Sequence, residues 1–591
     1  MPEHEKEVSM ADFVIRNNDC ICGICVAEGA TLTTMTAAGE LARYLGRQSG
    51  LTPVVHIGQP LKGEICLGAD NTACAEEELR MAVKNGVLHV DGGKRGILYG
   101  VYELLEQLGF RFLTADCDVI PENTVLTISE DIGICQKPLF EYRCTSWKTA
   151  DAAMAPKLRL NAVLEGKISD AFGGGVTYEG GFVHTLGDLA EMGKINGEYT
   201  DRQPCLTDEK TFETVVKNIR KILEKNPDAR IISVSQNDSH PGVMGCQCEN
   251  CRAIDEAEGT PMGSLLAFVN RVADVFSREY PNLAIDTLSY SYIQKTTEHM
   301  NARDNVIIRL CASGRCVVNP LEVDDPGFTE SLHKWADHSK RIYIWNYTTN
   351  FQSYHNPFPN LNILRQDVRL FAENNVKGVF EQGNSQTING EFGALRAYLF
   401  GKLLWEPYMS EETYQRHIND FLAGYYGRGW KHIRCYLDRL HAPVEGGLVG
   451  VNFVDPSRRF LGYEEGATRL EKSVSFLAKA RDDFAAAMAE ADEVQRSRIM
   501  TCEVQVDLYD WYVRFNEREA LDKDDPAYAA ATEALRQAGH RLYSRVVASG
   551  ITLMYEDIFA RSVFLKDLPD FTAHPFTWGC IMPDTAMEIT L

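Results

Sequence analysis

What the chain lacks narrows its chemistry first. It has no excess of positive charge: 60 Lys and Arg against 83 Asp and Glu leave a formal charge of −23. A nucleic acid or an anionic membrane surface is bound through clustered Lys and Arg, and no such cluster occurs, so neither partner is expected. No run of about 18 apolar residues is present to span a bilayer. The opening MPEHEKEVSM has neither a basic n-region nor an apolar h-region, which reads as a protein without a signal peptide and gives a cytoplasmic expectation. Neither an internal repeat nor a low-complexity tract appears. The 17 cysteines, an odd number scattered over a long chain, read mostly as reduced thiols rather than a disulfide framework. A neutral substrate such as a sugar meets none of these objections.

The 591 residues are too many for one core. Apolar and charged contents of 45% and 24% are those of an ordinary globular protein. Residues 1–135 alternate short strand-like segments (13–15, 20–26, 54–57, 64–67, 87–91) with helical ones (34–45, 97–108), an α/β layer domain. Its Gly92-Gly93-Lys94-Arg95-Gly96 turn lacks the GxxxxGK[ST] spacing of a phosphate loop and reads as a strand-to-helix turn. Cys20, Cys22 and Cys25 fall in a strand-like run and read as small hydrophobes.

From Phe140 the pattern becomes strand, loop, helix, repeated. Eight candidate strands, at 142–147, 162–164, 182–184, 231–235, 285–290, 306–310, 342–345 and 376–380, have helical segments between most of the later ones. That predicts a (β/α)8 TIM barrel over 136–409, with an open doubly wound sheet as the alternative. Beyond Pro407 helical periodicity takes over (411–425, 432–440, 467–492, 493–516, 527–547). Residues 410–591 are therefore read as a mainly α-helical domain packed on the barrel, bordering the site or forming a homo-oligomer contact.

Barrels of this kind keep their chemistry in the loops at the carboxyl ends of the strands. The stretch Ile231–Cys251, IISVSQNDSHPGVMGCQCENC, places Asn237 and Asp238 at one such end. The other strand ends carry Trp147, His184, Tyr290, Tyr292, Arg309, Trp345, Tyr347 and Glu381. Aromatic faces stack on pyranose rings, and Asp238 and Glu381 supply two separated carboxyl groups. Glycoside hydrolysis needs such a set: one acid to protonate the leaving oxygen, and a second group to stabilise or attack the anomeric centre. Taken singly, each of these residues is more often a core or capping residue, and Asn-Asp can be an Asx turn. Glu391, after Gly390 and before a helical run, reads as a first-turn helix residue. Cys246, Cys248 and Cys251 supply three sulfurs for a structural zinc, with His240 the nearest candidate for a fourth ligand; packed thiols or a disulfide are the alternative, and no cofactor is required.

The runs SQND, CQCENC, LLAFVNRVADVF, IDTLSYSY, IYIWNYTTNF and VFEQG through LRAYLFGKLLWEP resemble the family catalogued as domain of unknown function 4838. Part of that group is classified as glycoside hydrolase family 163, endo-acting β-N-acetylglucosaminidases on complex N-glycans. The segment GKRGILYGVYELLEQLGFRFL is similar to the α/β domain that precedes the barrel in family 20 hexosaminidases and in α-glucuronidases. Together the resemblances cover roughly residues 30–410. They imply a glycan substrate, most simply a β-N-acetylglucosaminide, with Asp238 as general acid/base and Asn237 orienting the acetamido group. The hexosaminidase relatives carry Asp-Glu where this chain has Asn237-Asp238, so its acid is one methylene shorter and its carboxamide cannot take up a proton. The glucuronidase resemblance implies instead Asp238 as acid and Glu381 as base. A carbohydrate-binding protein on the same scaffold is the non-enzymatic alternative.

Overall fold

The computed structural model describes residues 12–194, 202–239, 244–312, 318–442 and 469–556. At the amino-terminal end, six strands form a mixed sheet in the order 133–136, Leu79–Lys84, Val87–Gly92, Ile65–Leu67, Ile24–Val26, Val55–Ile57. The helices Leu32–Ser49 and Gly96–Gln107 pack on each other, and Leu41, Tyr44, Leu98 and Tyr102 on them are buried. Leu79–Lys84 and Val87–Gly92 are a hairpin turned by Asn85-Gly86, both with positive φ, which an Asn-Gly pair adopts readily. The glycine-rich turn at 92–96 is a packing device. A Cβ on Gly93 would stand 2.0 Å from the Ala75 carbonyl oxygen, and one on Gly96 1.9 Å from that of Glu78.

The middle of the chain builds a seven-stranded parallel sheet in the order Tyr142–Thr145, Val376–Gln382, Ile342–Tyr347, Val306–Cys311, Ala284–Ser289, Ile231–Ser233, Tyr178–Glu179. The sheet curls until its edges meet: Tyr142 and Tyr178, on the two edge strands, have ring centroids 5.6 Å apart. One set of alternating side chains (Tyr142, Cys144, Ile231, Ala284, Ile307, Tyr343, Phe380) fills the interior. The other set meets helices such as Met262–Glu279, which buries Leu265, Leu266, Val269, Val272 and Phe276. Each such side chain contributes on the order of 1.5–3 kcal/mol. The result is a TIM-like barrel with, among the described residues, seven hydrogen-bonded strands where eight were expected.

The expected strand at 162–164 is the one that does not form, and the expected third strand lies at Tyr178–Glu179 rather than 182–184. The reason is a polar knot. Asn161 donates its backbone N–H to the Arg143 carbonyl (3.2 Å) and accepts from Val176 N–H on its own carbonyl (2.8 Å), so one residue bridges the sheet edges. Its side-chain oxygen accepts from Arg143 N–H (2.8 Å) and its amide donates to Glu77 of the first domain (3.2 Å). Glu77 also binds the wholly buried Arg143 guanidinium (2.7 Å) and Arg95 (3.1 Å). Burial pushes the Glu77 carboxyl up, but Arg143 and Arg95 outweigh it and hold the group below the ordinary range.

Helices Glu411–Tyr426, Trp430–Leu440, Arg469–Glu490, Glu493–Cys502, Val504–Glu519 and Pro526–Ala548 follow. Val504–Glu519 and Pro526–Ala548 share a core of Leu508, Trp511, Leu535 and Leu542. No helix among the described residues is long and apolar enough to cross a membrane.

Candidate active site at the carboxyl ends of the strands

The strand Ile231–Ser233 continues as extended chain through four buried residues, Val234 to Asn237, and its first side chain to emerge is Asp238, 61% exposed. Asn237 explains why it emerges there. Its side-chain oxygen accepts from Gly187 N–H (2.9 Å), and its amide donates to the Arg202 carbonyl (2.7 Å). Its backbone exchanges two hydrogen bonds with the Gln203 side chain, 3.0 and 2.8 Å. The amide expected to orient a substrate is thus engaged by the protein at both ends, 1% exposed, and serves to anchor its neighbour.

Around Asp238 stand groups from four other segments. His184, in the left-handed region at φ 55°, holds the Gln236 carbonyl with Nδ1 at 2.8 Å, and its Nε2 lies 3.9 Å from Asp238 Oδ1. Nδ1 is the donor in that bond, since a carbonyl oxygen can only accept. Tyr290 follows at the end of Ala284–Ser289, its ring 6.4 Å from that of His184. Burial, then Asp238, pushes its phenol up to about 12, and burial, then Cys311, Tyr290 and Asp238, raises Tyr347 well above its ordinary value. Both phenols therefore remain protonated donors at neutral pH. Trp345 stacks on Tyr347 (6.1 Å, 24°) and donates to Gln382 Oε1 at 2.7 Å, so an aromatic wall descends from the mouth to Phe182 and Phe380.

A second carboxyl group arrives from the far end of the chain. Residues 551–556 are laced onto the loops after the last two strands. Thr552 N–H donates to Thr387 Oγ1 (2.8 Å), Tyr354 N–H to the Met554 carbonyl (2.9 Å) and Glu556 N–H to the Phe351 carbonyl (2.8 Å). Glu556 is partly buried there, and burial, followed by the Asp238 charge, pushes its carboxyl up to about 7. Sequence reasoning had no route to it. Its only signal is the acid pair Glu556-Asp557 inside the mostly apolar run ITLMYEDIF, and no strand-end position marks it.

The remaining expected residues lie elsewhere. Glu381 is wholly buried on the outward face of its strand, alternating with the inward Phe380 and Gln382, and its Oε2 accepts from Asn346 Nδ2 at 2.9 Å. The structure does not bring it together with Asp238. Trp147 is 2% exposed, donates to Thr348 Oγ1 (3.1 Å) and lies flat on Gly383, where a Cβ would come within 2.3 Å of its ring. Arg309 sits below the aromatic wall, paired with Asp286 at 2.6 Å and 4.2 Å over the Phe182 ring. Tyr292 faces Gly245 and Cys246 in the cysteine loop rather than the mouth. Glu391 is buried in an ion pair with Arg396, away from the mouth. A cavity of about 1150 Å³ opens at the opposite end of the barrel, among Arg230, Leu283, Arg341 and the first domain's Glu76 and Arg95. It is remote from these groups.

The cysteines of the 244–251 loop do converge, and the fourth member is Cys205, just before the helix Glu209–Lys225. The sulfurs of Cys205, Cys246, Cys248 and Cys251 all lie within 4.8 Å of one another, a set that can hold a metal ion. His240, the expected fourth ligand, lies outside the described residues.

Among solved structures, the chain is similar to a family GH115 4-O-methyl-α-glucuronidase with specificity for decorated arabinogalactans. The TM-score is 0.56 at 11% identity, over 91% of this chain and 78% of that one. It is also similar to the GH20 β-N-acetylhexosaminidase of Streptomyces coelicolor A3(2), with TM-score 0.45 at 12% identity over 71% and 94%. A GH138 enzyme targeting pectin rhamnogalacturonan II gives 0.43 at 10% over 89% and 74%. The first of these likenesses shows a fold shared along most of both chains. No curated protein matches the chain. Residues 112–438, more than half of the sequence and nearly all of the barrel, match one family, and the chain accordingly belongs to the domain of unknown function 4838 (DUF4838).

Proposed function

We propose that this protein is a glycoside hydrolase whose chemistry is carried by Asp238 and Glu556, with the glycan laid against Tyr290, Tyr347 and Trp345. The observation that carries the reading is the pairing of two carboxyl groups in contrasting surroundings at one barrel mouth. Asp238 is exposed, while Glu556 is partly buried and pushed up to about 7. Two acids in such unlike surroundings can divide the labour of glycoside cleavage. Glu556 keeps a proton for the leaving oxygen, and Asp238, as carboxylate, faces the charge that develops at the anomeric carbon or activates the attacking water. The neutral Tyr290 and Tyr347 hydroxyls donate to sugar oxygens. His184, held by the Gln236 carbonyl, borders Asp238.

Asn237 bears on the substrate. Orienting an acetamido group for substrate-assisted cleavage needs a free polar end, and this carboxamide spends both ends on Gly187 and Arg202. A β-N-acetylglucosaminide remains a substrate of this site by direct action of the two carboxyl groups, without anchimeric assistance from an acetamido group oriented by Asn237. The test is a product screen on N-glycans, chito-oligosaccharides and glucuronoxylan, with Asp238→Asn and Glu556→Gln beside the parent enzyme. Release of reducing sugar that both substitutions abolish supports the proposal. Glycan binding without turnover refutes it in favour of a carbohydrate-binding role.

A further inference from the structure

We infer that Cys205, Cys246, Cys248 and Cys251 form a structural zinc site that pins the loop following Asp238 to the start of the Glu209–Lys225 helix. The distances carry the argument. Four sulfurs about 2.3 Å from a central zinc are about 3.8 Å apart along the edges of the tetrahedron. Cys205 Sγ lies 3.7 Å from Cys248 Sγ and 4.0 Å from Cys251 Sγ, and all four sulfurs fall within 4.8 Å of each other. A disulfide would require about 2.05 Å, and would join the sulfurs in pairs rather than gather four round one point.

The surroundings suit thiolates. Cys248 caps the helix Glu249–Glu258, and its sulfur accepts from Cys251 N–H at 3.4 Å. The Thr207 hydroxyl lies 3.5 Å from Cys248 Sγ and 3.4 Å from Cys251 Sγ, so it can donate to either sulfur. Hydrogen bonds and the positive end of a helix both favour charged sulfur. Four sulfurs leave no open coordination position, so the metal holds structure and takes no part in the reaction. A tetrahedron of four thiolates suits zinc, with iron the other metal of such sites. The consequence for the molecule is local. A shared metal would cross-link Cys246, Cys248 and Cys251, the last two at the start of the helix Glu249–Glu258, to Cys205. Cys205 itself lies two residues beyond Gln203, which holds the Asn237 backbone.

The experiment is metal analysis of the full chain purified without chelator from zinc-supplemented culture. We expect about one zinc per chain, released stoichiometrically by an organomercurial. Cobalt exchanged into the protein should give intense sulfur-to-metal charge transfer and the visible bands of tetrahedral coordination. Cys205→Ser and Cys248→Ser should each lower zinc content at least tenfold, whereas Cys435→Ser, at an exposed cysteine remote from the cluster, should not. If the substituted proteins fail to fold, the metal content and cobalt spectrum of the unaltered chain still decide. Protein free of metal, iron in place of zinc, an intact mass short by two or four hydrogens (disulfides), or zinc retained in both variants would each overturn the assignment.

Discussion

Replacing Glu556 with Gln separates the proposed acid from its partner. Gln keeps the shape of the side chain and loses the proton. The carboxyl is pushed up to about 7 by burial and by Asp238, so near pH 7 about half the molecules carry the proton. An ordinary glutamyl group, near 4.3, would carry it in about one molecule in five hundred. The site therefore enriches the acid form by roughly two orders of magnitude, which is the purpose of tuning a general acid. Losing it should lower kcat/KM on a natural glycoside by about 10²- to 10⁴-fold, equivalent to about 2.7–5.4 kcal/mol of transition-state stabilisation.

The assay compares two leaving groups. A sugar alcohol needs protonation as it departs, whereas a dinitrophenolate does not. Glu556→Gln should therefore cost less than about tenfold on the aryl glycoside, and Asp238→Asn should cost the full factor on both. The pH profile gives a second readout. With a raised value the acid form is populated below about pH 7 and lost as pH rises through it, so the parent enzyme's kcat/KM falls above about pH 7. In Glu556→Gln that alkaline limb should vanish. Folding is not at risk, because a neutral amide removes the cost of burying a charge. Equal losses on both leaving groups, or an alkaline limb that persists near pH 7 in the Gln variant, would refute Glu556 as the acid.

Asn237→Asp distinguishes an anchor from a substrate contact. If the side chain met an acetamido group, a carboxylate there would accept its N–H more strongly and raise turnover on hexosaminides. Held as it is against the Arg202 carbonyl, a carboxylate would repel it and detach the segment, and we expect at least a tenfold fall in kcat on every substrate. Glu77→Gln leaves Arg143 buried without its charge partner and should cost about 3–5 kcal/mol in denaturant titration. Because the Glu77 carboxyl is held below its unfolded value, its contribution is complete above about pH 4.3 and fades as pH falls below it; the parent but not the variant should show this acid loss. Tyr347→Phe, which keeps the stacking on Trp345 and removes the hydroxyl, should raise KM severalfold with little change in melting temperature, read by initial rates and thermal unfolding.

Much of the fold was legible because it is written in local patterns. The barrel helices at 209–225, 262–279, 326–338 and 361–373 carry apolar stripes at helical spacing, and the strands between them are short apolar runs; both signals survive without tertiary information. What failed was decided at a distance. Residues 162–164 look like a strand, but Asn161 is claimed by Glu77, some eighty residues earlier, and links the two sheet edges without a strand. Leu79–Lys84 carried a readable signal, the Asn85-Gly86 turn. The site divides the same way. Asp238, His184, Tyr290, Trp345 and Tyr347 stand together because each ends or follows a sheet element or its loop, where barrel side chains reach solvent. Glu381 occupies such a position too, yet the two-residue period of its strand sends it outward while Gln382 faces the mouth, a distinction of one residue that the sequence does not carry without the register.

Glu556 shows why a barrel alone would be an incomplete account of this chain. A strand-end acid can be held only as dry as the open mouth allows, and Asp238 there is 61% exposed. A group that must keep its proton near neutral pH needs surroundings that penalise its charge. The segment 551–556 provides them by lying across the loops at 351–355 and 387, partly burying its own carboxyl near Asp238. The helices that precede it, Val504–Glu519 and Pro526–Ala548, share their own core and fix where that segment begins. On the proposed reading the helical domain contributes to the chemistry. A chain ending before Ile551 should retain the barrel and Asp238, bind glycan through Trp345 and Tyr347, and turn over natural glycosides no faster than Glu556→Gln. Parent-like turnover from such a truncated chain would place the proton donor elsewhere on the rim.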